Sequence, residues 1–245
     1  ANVANIGPVN DFPRTVFFGN VDNKRFLISS IPFLNSGLKL SKFSLSIVCN
    51  FCSSSKKFMP HFHVPLQSGS DKILKAMRRP YKVAKFEELV ERMREVCPSI
   101  AISTDIIVGF PGEGEEEFIE TRNLCERVRF DNAFIFRYSK RRDTPAAQID
   151  ESLHLSERVK EERNQDLLKV VDRIGSEKNH SLIGTELQVL CEGPSKRRDD
   201  RLSGRTRTNK IVIFKGDRGR LTGKLFNVKI ERTTGHVLYG TPILN

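Results

Sequence analysis

Cysteine is scarce and scattered in this 245-residue chain: five residues, at positions 49, 52, 97, 125 and 191. An odd number without regular spacing excludes a secreted disulfide framework and points to a reducing compartment. Long apolar runs are missing too, none approaching the roughly 18 uninterrupted residues that a bilayer-spanning helix needs. The opening stretch ANVANIGPVNDFPR lacks the basic start and apolar centre of a signal peptide. It also lacks an initiating methionine, so the sequence reads as a piece of a longer chain. Acidic side chains are the minority charge, 30 against 41 Lys+Arg, for a net +11. What is present is enough apolar residue for a core, 38% against 29% charged, which excludes wholesale disorder. The length suits one large domain or two small ones. The expectation is a basic, cytoplasmic, globular protein with no membrane partner.

The basic excess is uneven. From Ile183 to Asn245 there are 13 Lys+Arg and 6 Asp+Glu, so the last quarter of the chain carries +7 of the +11. That asymmetry suggests a tail module facing a polyanion, against the alternative of a merely Lys/Arg-rich solvated surface.

Periodicity divides the chain in the same place. Residues 61–66 read as a short strand leaving into the polar turn Gln67-Ser68-Gly69-Ser70, after which Ser70 or Asp71 caps a helix carrying Ile73, Leu74 and Met77. Phe86, Leu89, Val90, Met93 and Val96 form an amphipathic stripe that Pro98 ends. Residues 100–108 read as a buried strand, Gly109-Phe110-Pro111-Gly112 as its turn, and Glu113 to Glu117 as the acidic start of the next helix. Phe118, Cys125 and Val128 give that helix an inward face, and Ala133–Tyr138 is one more strand. Strands alternating with helices predict βαβ units and a parallel sheet, with ligands at the carboxyl ends of the strands. A polar helix over 156–180 reads as a connector. After Gly184 the period shifts towards two and glycines punctuate short strands, which predicts a small closed antiparallel barrel. Residues 26–31 suit one further strand of the sheet, and 36–58 show weak periodicity in either sense.

Three strings make the first part specific: Pro60-His61-Phe62-His63-Val64-Pro65-Leu66-Gln67-Ser68-Gly69-Ser70-Asp71, Thr104-Asp105-Ile106-Ile107-Val108-Gly109-Phe110-Pro111-Gly112-Glu113, and Thr144-Pro145-Ala146-Ala147. Their order and separation resemble the radical-SAM methylthiotransferases. In the tail, Glu192-Gly193-Pro194-Ser195-Lys196, Gly204-Arg205-Thr206-Arg207-Thr208-Asn209 and Val212-Ile213-Phe214 resemble that family's TRAM domain, in the style of the MiaB-type members. The resemblance covers roughly 58–245. It implies an α/β fold: part of a parallel (β/α) radical-SAM barrel over 58–150, a connecting helix over 151–182 and an antiparallel, OB-like TRAM barrel over 183–245.

By the same resemblance the cofactors are S-adenosylmethionine and two 4Fe-4S clusters, and the partner is a tRNA anticodon stem–loop. The radical-SAM cluster of the family sits on a Cys-x3-Cys-x2-Cys loop, which leaves one iron free for S-adenosylmethionine. This sequence has no such loop. Cys49-Asn50-Phe51-Cys52 is a bare Cys-x2-Cys, Leu45 stands where a first ligand would be, and no metal ligand is assigned here. The resemblance places Gln67, Ser68 and Ser70 near the ribose or methionyl part of S-adenosylmethionine, with Ile107 and Val108 as an apolar wall against adenine and Gly109 allowing close approach. Asp105 either contacts the ligand or braces the next turn by accepting backbone N–H bonds. His61 and His63 alternate with apolar neighbours and read as satisfied core-edge groups rather than metal ligands. Arg137 and Tyr138 end a strand on the ligand side, where Arg137 either contacts substrate or pairs with a carboxylate such as Glu113.

The tail has a mechanism of its own. Lys196, Arg197, Arg198, Arg201, Arg205, Arg207 and Lys210 cluster in what reads as a long loop and the strand after it. Cations of this kind bind phosphates tightly and with strong salt dependence, and Asn209 adds hydrogen bonding to splayed bases. Phe214, Phe226 and Tyr239 alternate within strands and read as core. The expectation is the C-terminal portion of an enzyme that adds a methylthio group to C2 of N6-isopentenyladenosine, inactive by itself for want of cluster cysteines. The alternatives are a non-catalytic RNA-binding fragment, or a relative acting on threonylcarbamoyladenosine or a ribosomal protein. No catalytic side chain is assigned, because the chemistry belongs to the cofactors.

Overall fold

Apolar runs that alternate with amphipathic segments decide the architecture up to His180. The computed structural model describes residues 18–21, 24–27, 59–142, 144–196 and 198–244, with 18–27 and 198–199 described by backbone alone. Among the described residues, strands β1 (Phe18–Val21) and β2 (Lys24–Leu27) pair with each other, antiparallel. Phe26 and Leu27 pair there with Gly19 and Phe18, while the rest of the strand expected over 26–31 lies outside the described residues. Residues 28–58, Cys49 and Cys52 among them, lie outside the described residues.

The parallel sheet is built from β3 (His61–His63), β4 (Ala101–Val108) and β5 (Asn132–Arg137), in the order β3-β4-β5. Between them run α1 (Asp71–Ala76), α2 (Val83–Val96) and α3 (Glu115–Val128). A long helix, α4 (Glu157–His180), follows β5 after two short 3-10 turns. Side chains alternate across each strand, so one face of the sheet collects Phe62, Ile102, Ile106, Val108 and Ala133. Onto that face pack Phe86, Val90 and Met93 of α2, Phe118 and Leu124 of α3, and Leu167, Val170, Val171 and Ile174 of α4. The polar helix is thus a full layer of this core as well as a connector. Ser156 caps its start, its hydroxyl accepting from Val159 N–H at 3.4 Å.

The opposite face of the sheet carries no helix among the described residues. It presents His61, His63, Asp105, Ile107, Phe134 and Phe136, the two phenylalanines half exposed at 50% and 53%.

The tail forms a closed barrel of β6 (Glu186–Ser195), β7 (Arg198–Thr206), β8 (Ile211–Phe214), β9 (Leu225–Thr234) and β10 (Val237–Ile243), with the short helix α5 (Arg218–Leu221) between β8 and β9. Two expectations change here. The stretch after Lys196 is strand β7 rather than a loop. The barrel is also not wholly antiparallel, since β10 pairs parallel with β8. Five strands closing a ring cannot all alternate in direction, so one neighbouring pair must run the same way. Val189, Val212, Phe214, Val228, Ile230 and Leu238 fill the interior. Gly240 is needed at the wall, because a Cβ there would collide with the Lys229 carbonyl of the adjoining strand.

The barrel docks by one end on α4. Lys210 Nζ donates to Asn179 Oδ1 at 2.8 Å, Asn179 Nδ2 donates to the Gly235 carbonyl at 2.8 Å, and His236 Nε2 lies 2.8 Å from Asp172 Oδ1. Asp131, just before β5, joins the same junction: it accepts from Ile102 N–H and Lys178 Nζ, both at 2.9 Å, with Lys210 Nζ at 3.8 Å.

Candidate functional site

At the carboxyl end of β3 the chain stays in register with β4 for a few more residues. Gln67 N–H donates to the Asp105 carbonyl at 2.8 Å, and Ile107 N–H donates to the Gln67 carbonyl at 2.9 Å. Gln67 adopts a left-handed φ of 70°, which turns the chain sharply there. Its side-chain Oε1 accepts from Arg79 at 3.2 Å, and Tyr81 Oη donates to the Leu66 carbonyl at 3.0 Å, so the segment after α1 clamps the turn. Ser68 and Ser70 are buried within it. Ser68 Oγ accepts from Ser70 N–H at 3.2 Å and lies 3.4 Å from Thr121 Oγ1, so its hydroxyl serves the turn itself. Thr121 Oγ1 also accepts from Gly69 N–H, and an added Cβ at Gly69 would strike the Thr121 backbone. These contacts fix the turn against α3.

The second turn is closed from α3 and α4. Gly109, at φ 75°, donates its N–H to Glu113 Oε1 at 2.8 Å, and a Cβ on it would sit 2.5 Å from Lys160 Cγ. Glu113 is buried and also accepts from Arg163 at 2.7 Å. Burial pushes the Glu113 carboxyl above its ordinary pKa, against the opposing pull of the Gly109 amide and the Arg163 guanidinium. Glu113, not Asp105, is therefore the carboxylate that braces this turn. Arg137 is not Glu113's partner: it pairs with Glu161 of α4 at 2.6 Å, on the helix-packed side of β5. Val108 likewise packs into the helix-side core, so Ile107 alone of that pair stands on the open face.

The open face carries a polar chain that links both histidines to Asp105. Asp105 Oδ2 lies 3.1 Å from His63 Nε2, His63 Nδ1 lies 3.1 Å from Ser103 Oγ, and Ser103 Oγ lies 3.2 Å from His61 Nε2. Residues i and i+2 on two neighbouring strands make this ladder, a pattern legible once the pairing His61↔Ala101 is known. Beyond β5, Tyr138 packs edge-on to Phe110 at 5.2 Å and near His154 at 5.9 Å. Tyr138 Oη and His154 Nε2 are buried with no hydrogen-bond partner among the described residues.

On the barrel, two of the cations expected to face RNA, Arg205 and Lys210, are engaged within the chain. Lys210 is held in the junction with its side chain 13% exposed, which removes it from a phosphate-gripping role. Arg205 pairs with Glu192 at 3.2 Å and donates to Asn209 Oδ1 at 2.8 Å, while Asn209 takes a left-handed turn conformation at φ 65°. Arg207 is half-buried, Lys196 is exposed, Arg197 lies outside the described residues and Arg198 is described by backbone alone. Phe214, in the interior, meets the partly buried Phe226 edge-on at 5.4 Å, both against the core as expected. Tyr239 instead lies beneath Arg232, 3.7 Å from guanidinium to ring centre.

Residues 47–125 match the radical SAM superfamily, and residues 180–243 match the TRAM domain. The tRNA-2-methylthio-N(6)-dimethylallyladenosine synthase of Akkermansia muciniphila is 53% identical over 186 residues, covering 76% of this chain and 40% of that protein. Over that stretch the chain is similar to radical-SAM tRNA methylthiotransferases. The corresponding synthase of Methylacidiphilum infernorum is 52% identical over 186 residues, covering 76% of this chain and 39% of that protein. The chain thus spans about 40% of the length of the curated relatives it matches. Coproporphyrinogen III oxidase (HemN) from Escherichia coli, a radical SAM enzyme, aligns over 85% of this chain and 50% of its own, at 12% identity and a TM-score of 0.47.

The radical SAM match implies S-adenosylmethionine and 4Fe-4S clusters as cofactors. For the adenosyl group the open face fits: Ile107 offers an apolar wall, Asp105 a half-exposed carboxylate, and the Gln67 turn adjoins both. The described residues do not fit a cluster. None of their His, Cys, Asp and Glu side chains gather in a group of three that could hold a metal. Cys125 and Cys191 are buried in separate cores, and burial pushes the Cys125 thiol up to about 12, far from the thiolate a cluster iron needs.

Proposed function

We propose that this chain is the part of a tRNA methylthiotransferase that supplies one wall of the S-adenosylmethionine site and the grip on tRNA. The enzyme it serves adds a methylthio group to C2 of N6-isopentenyladenosine beside the anticodon, in the cytoplasm. The observation that carries this reading is the order of parts: a parallel sheet with one face open, followed by a TRAM barrel, at 53% identity to a synthase of that activity. S-adenosylmethionine, when bound, supplies both the methyl group and the radical that activates the adenine carbon.

The chain's own residues bind and orient. Ile107 covers the adenine, Asp105 accepts hydrogen bonds from a ribose or amine, and His63 holds Asp105 in place. Gln67 presents its amide from a turn that Arg79, Tyr81 and Thr121 keep rigid. Gly109 and Glu113 set the neighbouring turn. No helix among the described residues is long and apolar enough to cross a membrane.

The test is a titration of an isopentenylated anticodon stem–loop RNA into the full chain at several salt concentrations. Binding that weakens steeply with salt is expected. Undetectable or salt-independent binding contradicts the reading.

A further inference from the structure

Strand β8 divides the TRAM barrel's cations into two sets. Its first end adjoins Lys210, which is buried against Asn179 and Asp131 in the junction with α4. At its other end Phe214 pairs with Leu202, and the chain leaves the barrel as Lys215-Gly216-Asp217-Arg218-Gly219-Arg220. Leu221 drops into the barrel core, 4% exposed, before the chain returns at Leu225 beside Leu190. Helix α5 therefore lies across the mouth of the barrel furthest from the junction, its apolar residue turned inward and its cations turned out.

Lys215, Arg218 and Arg220 are all exposed, and none forms an ion pair among the described residues. Asp217 does not neutralise them by contact, because its carboxylate caps the helix, accepting from Arg220 N–H at 2.8 Å. This contrasts with the run from Lys196 to Lys210, where Glu192, Asn209 and the junction occupy Arg205 and Lys210. Unpaired cations kept together without carboxylate partners suit a ligand that brings its own closely spaced negative charges. The segment Lys215–Arg220 exposes no aromatic or aliphatic anchor of the kind on which protein–protein affinity concentrates, nor a ring on which a base could stack.

We propose that the far mouth of the barrel, through Lys215, Arg218 and Arg220, grips the phosphate backbone of the RNA substrate without reading its sequence. This rests on the RNA-binding role proposed above and says where and how that role is carried out. The base to be modified is then recognised elsewhere, and the barrel contributes position and affinity.

The experiment compares the full wild-type chain with the triple variant Lys215→Ala, Arg218→Ala, Arg220→Ala and with Lys196→Ala. The readout is fluorescence anisotropy with an anticodon stem–loop RNA, a scrambled stem–loop and poly-glutamate, across a salt series. The three side chains are exposed, and unchanged melting of the triple variant checks that it folds. Three lost phosphate contacts lower the slope of log affinity against log salt by about 2 and weaken binding at least ~10-fold, equally for both RNAs. Lys196→Ala changes the slope by less than 1. If wild type binds RNA and the triple variant binds it equally well, the proposal fails while the RNA-binding reading stands. If wild type binds no RNA, both fail. If poly-glutamate binds wild type as tightly as RNA does and the triple variant loses it, the surface is a protein dock and the proposal is overturned.

Discussion

Replacing Arg163 by alanine is expected to destabilise the folded chain by about 3–5 kcal/mol, because it strands a buried charge rather than removing a surface pair. Arg163 and Glu113 are both inside, with side chains 8% and 2% exposed, and lie 2.7 Å apart. The same guanidinium also donates to the Glu113 carbonyl at 3.1 Å and to Glu115 at 3.2 Å. Without it, Glu113 must either stay ionised in an apolar site or take up a proton and weaken its hold on Gly109. Either route loosens the turn after β4, on the side where the adenosyl group is proposed to lie. Urea denaturation of wild type, Arg163→Ala and the double variant Arg163→Met/Glu113→Gln measures this. The double variant should recover much of the loss, since replacing both partners removes the uncompensated charge. A single-variant loss below about 1 kcal/mol would place the pair among ordinary surface bridges.

Acidification is expected to act through His61. Its pKa is pushed down to about 4 from an ordinary 6.5, first by burial and then by the positive charges of His63, Arg205 and Lys210, with Asp131 pulling the other way. The folded-state value is the lower one, so between pH 6.5 and about 4 the unfolded chain binds a proton that the folded chain does not. Stability from this residue is complete above that window and falls as the pH drops through it, by up to about 3 kcal/mol at the 1.36 kcal/mol that each unit carries. Two of the groups responsible, Arg205 and Lys210, belong to the TRAM barrel, so protonating His61 also strains the junction between the two parts. Denaturation midpoints across this range should show a flatter pH dependence for His61→Gln than for wild type. Identical slopes would mean that His61 is solvated in the folded chain.

The βαβ order, the stripe from Phe86 to Val96 and the closed tail barrel are legible in the sequence because each follows from a local period. The parallel pairing of β10 with β8 is not local: it follows from counting strands around a ring. The basic run 196–210 was visible as composition. Only the fold separates Lys210, sunk in a junction, from Lys215, Arg218 and Arg220, set on a free mouth. Asp105 stands out in the sequence as a lone carboxylate in an apolar strand, yet its partner His63 lies 42 positions away and meets it only across paired strands. The same alternation sends Val108 to the core and leaves Ile107 on the open face. Pairings over such distances, like that of Glu113 with Arg163, are fixed by packing rather than by spacing.

The proposed function divides the labour: this chain provides one wall of the cofactor site and the RNA grip, and the cluster is held by residues elsewhere. Anaerobic iron–sulfide reconstitution of the full chain, followed by iron and sulfide analysis and Mössbauer spectroscopy, tests this most directly. The expected result is a chain that still binds the stem–loop RNA but assembles no 4Fe-4S cluster. A stoichiometric four-iron cluster held by this chain would contradict it.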